Sequence, residues 1–293
     1  MGSERSYKQG SKSFWIYFKK NRLAMIGLVI IIIMFIIAGL TRFGLGIILT
    51  PYDPGQTNVS LKLSPPSFKH YLGTDHLGRD LYTRILYGSQ ISLSVGFVAV
   101  AISILIGILV GSISGYYGGW VDSLLMRFVD IMLCFPSFFL ILTIVALLGP
   151  SLFKVMLVIG ITSWMGTARF VRAEFLSLRE RDFVQAARAL GVKDSRIMFR
   201  HILPNALAPV FVTATLDVAS AILVEAGLSF LGFGAQPPTP SWGNILTEGR
   251  TYIFDAWWLT VFPGFAILIT VLSFNLVGEA LRDALDPRLR GIR

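Results

Sequence analysis

The stretch that decides the fold is the charged segment 180–210, ERDFVQAARALGVKDSRIMFRHILPNALAPV, which lies between strongly apolar segments. Asp182 and Gln185 have the spacing of a helix capping box, so we predict a helix that begins at Asp182. Gly191 suits the left-handed residue that follows a helix end. A second short helix is expected to finish before Pro204, where the apolar sequence resumes. The segment is therefore predicted to be a helix, a glycine turn and a second helix.

The first of these helices carries a narrow surface ridge. Phe183, Ala187 and Leu190 are predicted to share one face, with Ala186 beside them. An aromatic residue among small ones lets another surface approach closely, which favours docking on a protein partner. The alternative is an amphipathic helix that rests on lipid headgroups through its cations. The residues alone leave both partners open.

The composition is that of a multi-span membrane protein. Of the 293 residues, 54% are hydrophobic and only 15% are charged, and the mean hydropathy is +0.68. Soluble domains carry about a quarter charged residues. The net charge of +9 does not indicate nucleic-acid binding, because most Lys and Arg flank apolar runs, where they orient helices in a bilayer.

Six segments have the length and polarity of membrane-spanning helices, which need about 20 mostly apolar residues. They are residues 23–40, 89–112, 131–148 with Pro136 inside, 152–168, 205–224 with Asp217 inside, and 256–278 with Pro263 inside. The two inner prolines are predicted to kink their helices, as static bends or as hinges. We predict an all-α polytopic membrane protein with six transmembrane helices.

The distribution of cations predicts the orientation. With the N-terminus inside, the inner segments hold 19 Lys and Arg and the outer segments hold 7, so both termini are predicted to be cytoplasmic. The predicted divisions are a cytoplasmic segment 1–22, a membrane domain 23–278 and a cytoplasmic tail 279–293, with outer loops 49–84 and 232–255 and an inner loop 169–204. Proline and aromatic residues in both outer loops predict ordered caps on the bundle.

Motifs for catalysis, metal binding or nucleotide binding are missing from the sequence. It contains no phosphate-binding G-x-x-x-x-G-K-[ST], no H-x-x-x-H pair and no G-x-S-x-G elbow. His76 stands between Asp75 and Asp80, which we interpret as an ordinary loop cluster rather than a metal site. Cys134 has no intrachain partner for a disulfide. We therefore predict no catalytic residue, metal or cofactor on this chain.

Two acidic residues fall in or near predicted spans. An ionisable group at membrane depth costs about 3 kcal/mol, which favours a functional role. Asp217 either lines a translocation path or makes a hydrogen bond across the bundle that fixes helix packing. Glu225, near the outer end of its helix, is expected to pack against the loop that follows it.

Several stretches together resemble one family of transport proteins. The pair QAARALG (185–191) and HILPNALAP (201–209) resembles the cytoplasmic EAA loop of ABC importer permeases. Further resemblances lie in LGTDHLGRDLYTRILYGSQISL (72–93), GYYGGWVDSLLMRFVDIML (115–133), EAGLSFLGFGAQPPTPSWG (225–243) and FNLVGEALRDALDP (274–287). The chain is most similar to the second permease subunit of peptide and nickel importers. It departs from the family pattern at Gln185, which replaces a glutamate, and at His201, which replaces an apolar residue.

The resemblance implies the type I ABC importer permease fold and a multi-pass protein of the bacterial inner membrane. It implies a homologous second permease, two cytoplasmic ATPases that bind ATP and Mg, an external substrate-binding protein and surrounding lipid as partners. Small peptides are the implied cargo. Nickel or a metal–chelator complex is the alternative cargo, and an ion-coupled secondary transporter is the alternative class.

The resemblance also assigns the charged segment a role. The helix at residues 182–190 would be a coupling helix that sits in a cleft of the ATPase subunit, and Gly191 would end it. The residues expected at that contact are Asp182, Phe183, Gln185, Ala186, Ala187, Leu190 and Gly191.

Overall fold

The computed structural model describes residues 18–285, and within that range the protein is helical without a β-strand. The helices are α1 (Arg22–Arg42), α2 (Leu81–Tyr117), α3 (Gly119–Leu133), α4 (Ser137–Leu148), α5 (Leu152–Ser163), α6 (Met165–Leu178), α7 (Asp182–Ala189), α8 (Asp194–Phe230), α9 (Trp242–Arg250) and α10 (Trp258–Leu285). The all-α prediction is confirmed. Of the predicted terminal segments 1–22 and 279–293, residues 1–17 and 286–293 lie outside the described residues, and residues 279–285 belong to α10.

Four of these helices are long and apolar enough to cross a bilayer: α1, α2, α8 and α10. The pair α3 and α4 gives a fifth span only if the two helices, bent by 82° at their junction, count together. α5 is apolar but has only 12 residues. The count of six transmembrane helices therefore stays a prediction.

α2 is longer than the predicted segment 89–112. Its 37 residues span about 55 Å at 1.5 Å per residue, well beyond the hydrocarbon core. The helix begins at Leu81, inside the predicted outer loop 49–84. Apolar patterning missed the added turns because the polar residues at the two ends, such as Arg84 and Ser114, are buried by other parts of the chain rather than by lipid.

Glycines on α2 allow α6 to pack closely along it. A Cβ at Gly107 would lie 2.6 Å from the Cβ of Thr167, and one at Gly111 would lie 2.5 Å from the carbonyl oxygen of Ala168. Gly115 continues the same spacing one turn further on. Small residues at such a spacing let helices in a membrane gain van der Waals contact. This contact fixes α6, and so the start of the loop that carries α7.

Pro136 breaks its helix instead of kinking it. α3 ends at Leu133, and Pro136 is the extended residue before α4, with φ −60° and ψ 115°. Proline lacks an N–H donor and disfavours the helical conformation of the preceding residue, so the chain turns here. Pro263 behaves differently, because α10 continues through it.

The predicted short helix before Pro204 is also longer than expected. It continues without a break as α8, from Asp194 to Phe230, and includes Pro204 and Pro209. A wide π-helical turn at Ile197–Ile202 precedes Pro204. Pro204 then lies in the first turn of the α-helical part, where a missing N–H is tolerated. The loop segment and the membrane helix therefore form one continuous helix, so a motion of the first residues of α8 is coupled to its membrane part.

The two predicted outer loops are ordered and pack on the ends of helices. Trp258 donates its indole N–H to the carbonyl oxygen of Thr74 over 3.1 Å, and Trp242 donates to that of Ile85 over 3.0 Å. Leu81, Ile245, Ala256, Trp258 and Leu259 form a buried apolar cluster beneath them. The caps hold the outer ends of α2, α9 and α10 together.

Candidate functional site

The start of α7 differs from the predicted capping box. Arg181 is the extended residue before the helix and Asp182 is the first helical residue, and no side chain caps the end. The amide of Gln185 instead donates to the carbonyl oxygen of Arg179 over 3.3 Å. The predicted capping box is therefore not formed, although an acidic residue in the first turn still interacts favourably with the helix dipole.

Gly191 ends α7 as predicted. Its φ is +72°, in the left-handed region that glycine adopts without penalty. The Val192 amide donates to the carbonyl oxygen of Ala187 over 3.1 Å, and the Gly191 amide donates to that of Arg188 over 2.9 Å. These two bonds define a Schellman motif, which reverses the chain between α7 and α8.

α7 has one face that is buried against the bundle and one face that is exposed (the outer face). Val184 and Ala187 are buried in an apolar cluster with Ile197 and Ile202 of α8. The outer face consists of Phe183, Gln185, Ala186 and Leu190, which we name the α7 ridge. Ala187 was expected on this ridge, and its burial corrects that prediction. Residues three apart share one face of a helix, so Ala187 faces α8 together with Val184.

Few interactions hold α7 on the bundle. Arg188 places its guanidinium over the ring of Tyr116, 5.3 Å from the centroid. The Tyr116 hydroxyl donates to a carboxylate oxygen of Asp194 over 2.6 Å, which connects the end of α2 to the start of α8. The ridge itself stays open, since Phe183 is 43% exposed and Leu190 is 83% exposed. Such exposed apolar residues beside charged ones are typical of a docking surface.

Asp217 borders a cavity of about 140 Å³ between α2, α4, α5 and α8. Four hydroxyl side chains line the same cavity: Ser103, Ser137, Ser163 and Ser220. None of the residues in the range 18–285 makes a hydrogen bond or ion pair with the Asp217 carboxylate. The predicted hydrogen bond across the bundle is therefore not found there, and the lining of a path stays a prediction.

Glu225 is fully buried and has partners. The Ser229 hydroxyl donates to one carboxylate oxygen over 2.6 Å, and the Ser92 hydroxyl donates to the other over 3.4 Å. Ser229 also lies 3.4 Å from the hydroxyl of Ser241, in the loop before α9. Glu225 is therefore held inside the bundle, and Ser229 connects it to the loop that follows its helix.

Sequence patterns missed a buried ion-pair network at the outer cap. We name Asp75, Arg79, Arg84 and Glu248 the outer network. Arg84 lies 2.5 Å from Asp75 and donates to Glu248 over 2.9 Å, while Arg79 lies 2.6 Å from Asp75 and 2.9 Å from Glu248. Four charges in GTDHLGRDLYTR, with Asp75 and Arg79 four residues apart, were the available signal.

The pKa values of Asp75 and Asp80 are shifted in opposite directions. Burial alone would raise the pKa of Asp75, but attraction to Arg84 and Arg79 and bonds from backbone amides lower it below its ordinary value. Burial raises the pKa of Asp80, against the opposing effect of the nearby His70. Asp75 is therefore ionised at neutral pH and forms ion pairs with Arg79 and Arg84.

Asp75, His76 and Glu248 could in principle hold a metal ion, since their donor atoms lie within 4.8 Å of one another. Both carboxylates are already paired with guanidinium groups of the outer network. Two positive charges balance the two negative ones, so no anionic charge is left to attract a cation. We interpret the group as a structural ion-pair cluster.

Comparison with known proteins identifies the family. Residues 107–291 match the family described as "Binding-protein-dependent transport system inner membrane component", and residues 11–66 match the "N-terminal TM domain of oligopeptide transport permease C". The dipeptide transport system permease protein DppC of Alkalihalophilus pseudofirmus is 48% identical over 93% of this chain and 88% of its own length. The glutathione transport system permease protein GsiD of Escherichia coli is 41% identical over 95% and 90%.

The fold has a counterpart among solved structures. A chain of the MetNI methionine ABC transporter, in an inward-facing conformation, superposes with a TM-score of 0.54 at 20% identity, over 70% of this chain and 98% of that one. The match covers nearly the whole of that permease, so the likeness extends to its complete fold. The protein described above therefore has the ABC importer permease fold, and it belongs to the family of binding-protein-dependent transport system inner membrane components.

Proposed function

We propose that this chain is one permease subunit of an ATP-driven importer of small peptides, and that the α7 ridge docks on a cytoplasmic ATPase subunit. The peptide cargo is supported by relatives named as dipeptide and di/tripeptide transport permeases. The chain would form half of the translocation path, with a homologous second permease forming the other half. An external binding protein would deliver the peptide.

The observation that carries the docking role is the division of α7 into two faces. Val184 and Ala187 fix the helix to α8, while Phe183 and Leu190 stay exposed. Because α8 is continuous from Asp194 into the membrane, a push on the ridge is transmitted along one rod. A partner that moves on ATP binding could therefore reposition the bundle through this contact.

The energy source is assigned to the partner subunits. The sequence has no phosphate-binding loop of the common ATPase type, so ATP and Mg would be held by two ATPases below the membrane. The excess of Lys and Arg on the side of α7, 19 against 7, supports a cytoplasmic ridge and cytoplasmic termini in the bacterial inner membrane. Gln185, with its amide held by Arg179, would meet the partner without a charge.

The test compares two variants of the complete transporter in proteoliposomes, and in each an exposed residue is replaced by arginine. Leu190→Arg places a cation in the ridge, where a helix C-terminus tolerates it. Phe254→Arg is the matched control, since Phe254 is 99% exposed in the outer loop. We expect Leu190→Arg to lower binding-protein-stimulated ATP hydrolysis and peptide uptake at least tenfold while the control and the amount of assembled complex stay unchanged. Wild-type activity in Leu190→Arg would show that the ridge rests on lipid or on nothing.

A further inference from the structure

The Asp217 cavity has the composition of a binding site for a cationic group. It brings one carboxylate and the hydroxyls of Ser103, Ser137, Ser163 and Ser220 together between four helices. Its volume of about 140 Å³ exceeds what one water needs, roughly 15 Å³ on the same measure. The cavity therefore has room for an ammonium group with its neighbouring atoms.

An unpartnered polar group points to a missing ligand. Ser103 is 2% exposed, and its hydroxyl has no hydrogen-bond partner among the described residues. Buried hydroxyls almost always have partners, because leaving one unpaired costs about 1 to 3 kcal/mol. Asp217 likewise has no cation beside it within residues 18–285. One ligand with several N–H donors would satisfy both groups.

The cavity lies at a position suited to a transported solute. Ser103 lies near the middle of the 37-residue α2, and Asp217 lies in the apolar part of α8, so the cavity lies within candidate membrane spans. Ser137 begins α4, directly after the 82° break between α3 and α4. Interrupted helices at this depth are tolerated where they line a cavity or a water-filled path, and transporters place substrate sites there.

The exposed rim of the cavity argues against a lipid-facing surface. Ser137, Ser163 and Ser220 are exposed on the same side as Asp217. A hydrocarbon environment offers no hydrogen-bond partner to three hydroxyls and a carboxylate. This face therefore borders water or a partner subunit, and a solute could enter the cavity from it.

We propose that Asp217, with Ser103, binds the primary ammonium group of the transported solute during translocation. The inference rests on the proposed peptide import and deepens it, since the free N-terminus of a peptide is such a group. The carboxylate would supply the charge, and the serine hydroxyls would accept the remaining N–H groups. The site would select cargo inside the membrane, in addition to any selection by the binding protein.

The experiment compares two cargoes in proteoliposomes that contain the complete transporter: alanyl-alanine and N-acetyl-alanyl-alanine, which lacks the ammonium group. Asp217→Asn keeps the shape and removes the charge, Asp217→Glu keeps the charge, and Asp255→Asn removes an exposed acid elsewhere. We expect Asp217→Asn to lower the uptake ratio of free to acetylated peptide at least fivefold. Asp217→Glu should retain the ratio within about twofold, and Asp255→Asn should match wild type.

Binding-protein-stimulated ATP hydrolysis serves as the second readout, and it should stay within twofold of wild type in the control Asp255→Asn, whose side chain lies outside the cavity. Equal loss of both cargoes, or no change in either, would overturn the ammonium site while leaving peptide import intact. A wild-type complex that takes up no alanyl-alanine with ATP would instead overturn the proposed function, and the ammonium site with it.

Discussion

The outer cap and the α7 ridge are held in opposite ways. At the cap, the outer network ties the start of α2 to α9 with two arginines and two carboxylates, nearly all buried. At the other region, an eight-residue helix rests on two small apolar side chains and one cation–π contact. The first arrangement resists displacement, and the second leaves an exposed surface that a partner can grip and move. The difference predicts that the cap resists displacement more strongly than the α7 ridge, which we propose as a docking element.

The largest expected effect is at the outer network. Arg84→Met leaves Asp75 and Glu248 buried near each other with one cation fewer, which should cost about 3 to 5 kcal/mol. The melting temperature of the purified complex in detergent should fall clearly. Arg42→Met, at an exposed arginine, is the control and should melt as wild type. Equal melting of both variants would mean that the network does not hold the cap.

A smaller and more local effect is expected on the inner face of α7. Val184→Ala removes two methyl groups from a fully buried site and should lower the free energy of local opening by about 2 kcal/mol. Hydrogen exchange of the α7 amides should speed up while the amides of α2 stay protected. The exposed Val59→Ala should change neither. Loss of protection throughout the bundle would contradict the view that α7 can open locally while the rest of the bundle stays folded.

The glycine turn should contribute less. At Gly191 a Cβ meets nothing within 4 Å, so Gly191→Ala tests only its positive φ and should cost about 1 kcal/mol. Gly166→Ala is the matched control, because it also meets nothing but lies in the ordinary helix α6, and it should be neutral or slightly stabilising. For both variants, the readout is hydrogen exchange of the backbone amides around Gly191 and Val192. Identical exchange in the two variants would mean that the Schellman motif does not stabilise the end of α7.

The smallest effect is expected at the cation–π contact. Arg188→Gln removes the guanidinium above Tyr116 and should loosen α7 by about 0.5 to 1 kcal/mol. Arg196→Gln, at an exposed arginine in the first turn of α8, controls for the loss of one charge. Amide exchange of α7 again provides the readout. A change as large as that of Val184→Ala would mean that this arginine, not the apolar face, anchors the helix.

Local signals predicted what depends on local chemistry. Apolar runs indicated the helices, and the glycine at position 191 indicated the end of α7, because a left-handed residue is a property of the backbone alone. The ends of α2 were missed because tertiary contacts bury their polar residues, and the continuity of α8 through Pro204 was missed because a π turn precedes this proline. Pro136 was predicted to kink a helix, yet its sequence signal is the same for a kink and for a break.

Contacts between distant segments could not be predicted from patterns. Arg84 and Glu248 are 164 residues apart, and nothing local indicates that they pair. Ala187 was assigned to the outer ridge because a helix drawn alone does not show which side faces α8. The Asp217 cavity required four helices to be placed, and only the acidic residue itself was visible in the sequence.

Cross-linking can show whether the α7 ridge contacts an ATPase subunit, as we propose. Leu190→Cys would be made in a Cys134→Ser background, because Cys134 is exposed and would react as well. A short thiol-specific bifunctional reagent is then added to membranes that contain the complete transporter. We expect a cross-linked product between this chain and the ATPase subunit, with a yield that changes when ATP binds. A cysteine that reacts freely with maleimide but forms no such product, with or without ATP, would contradict this proposal.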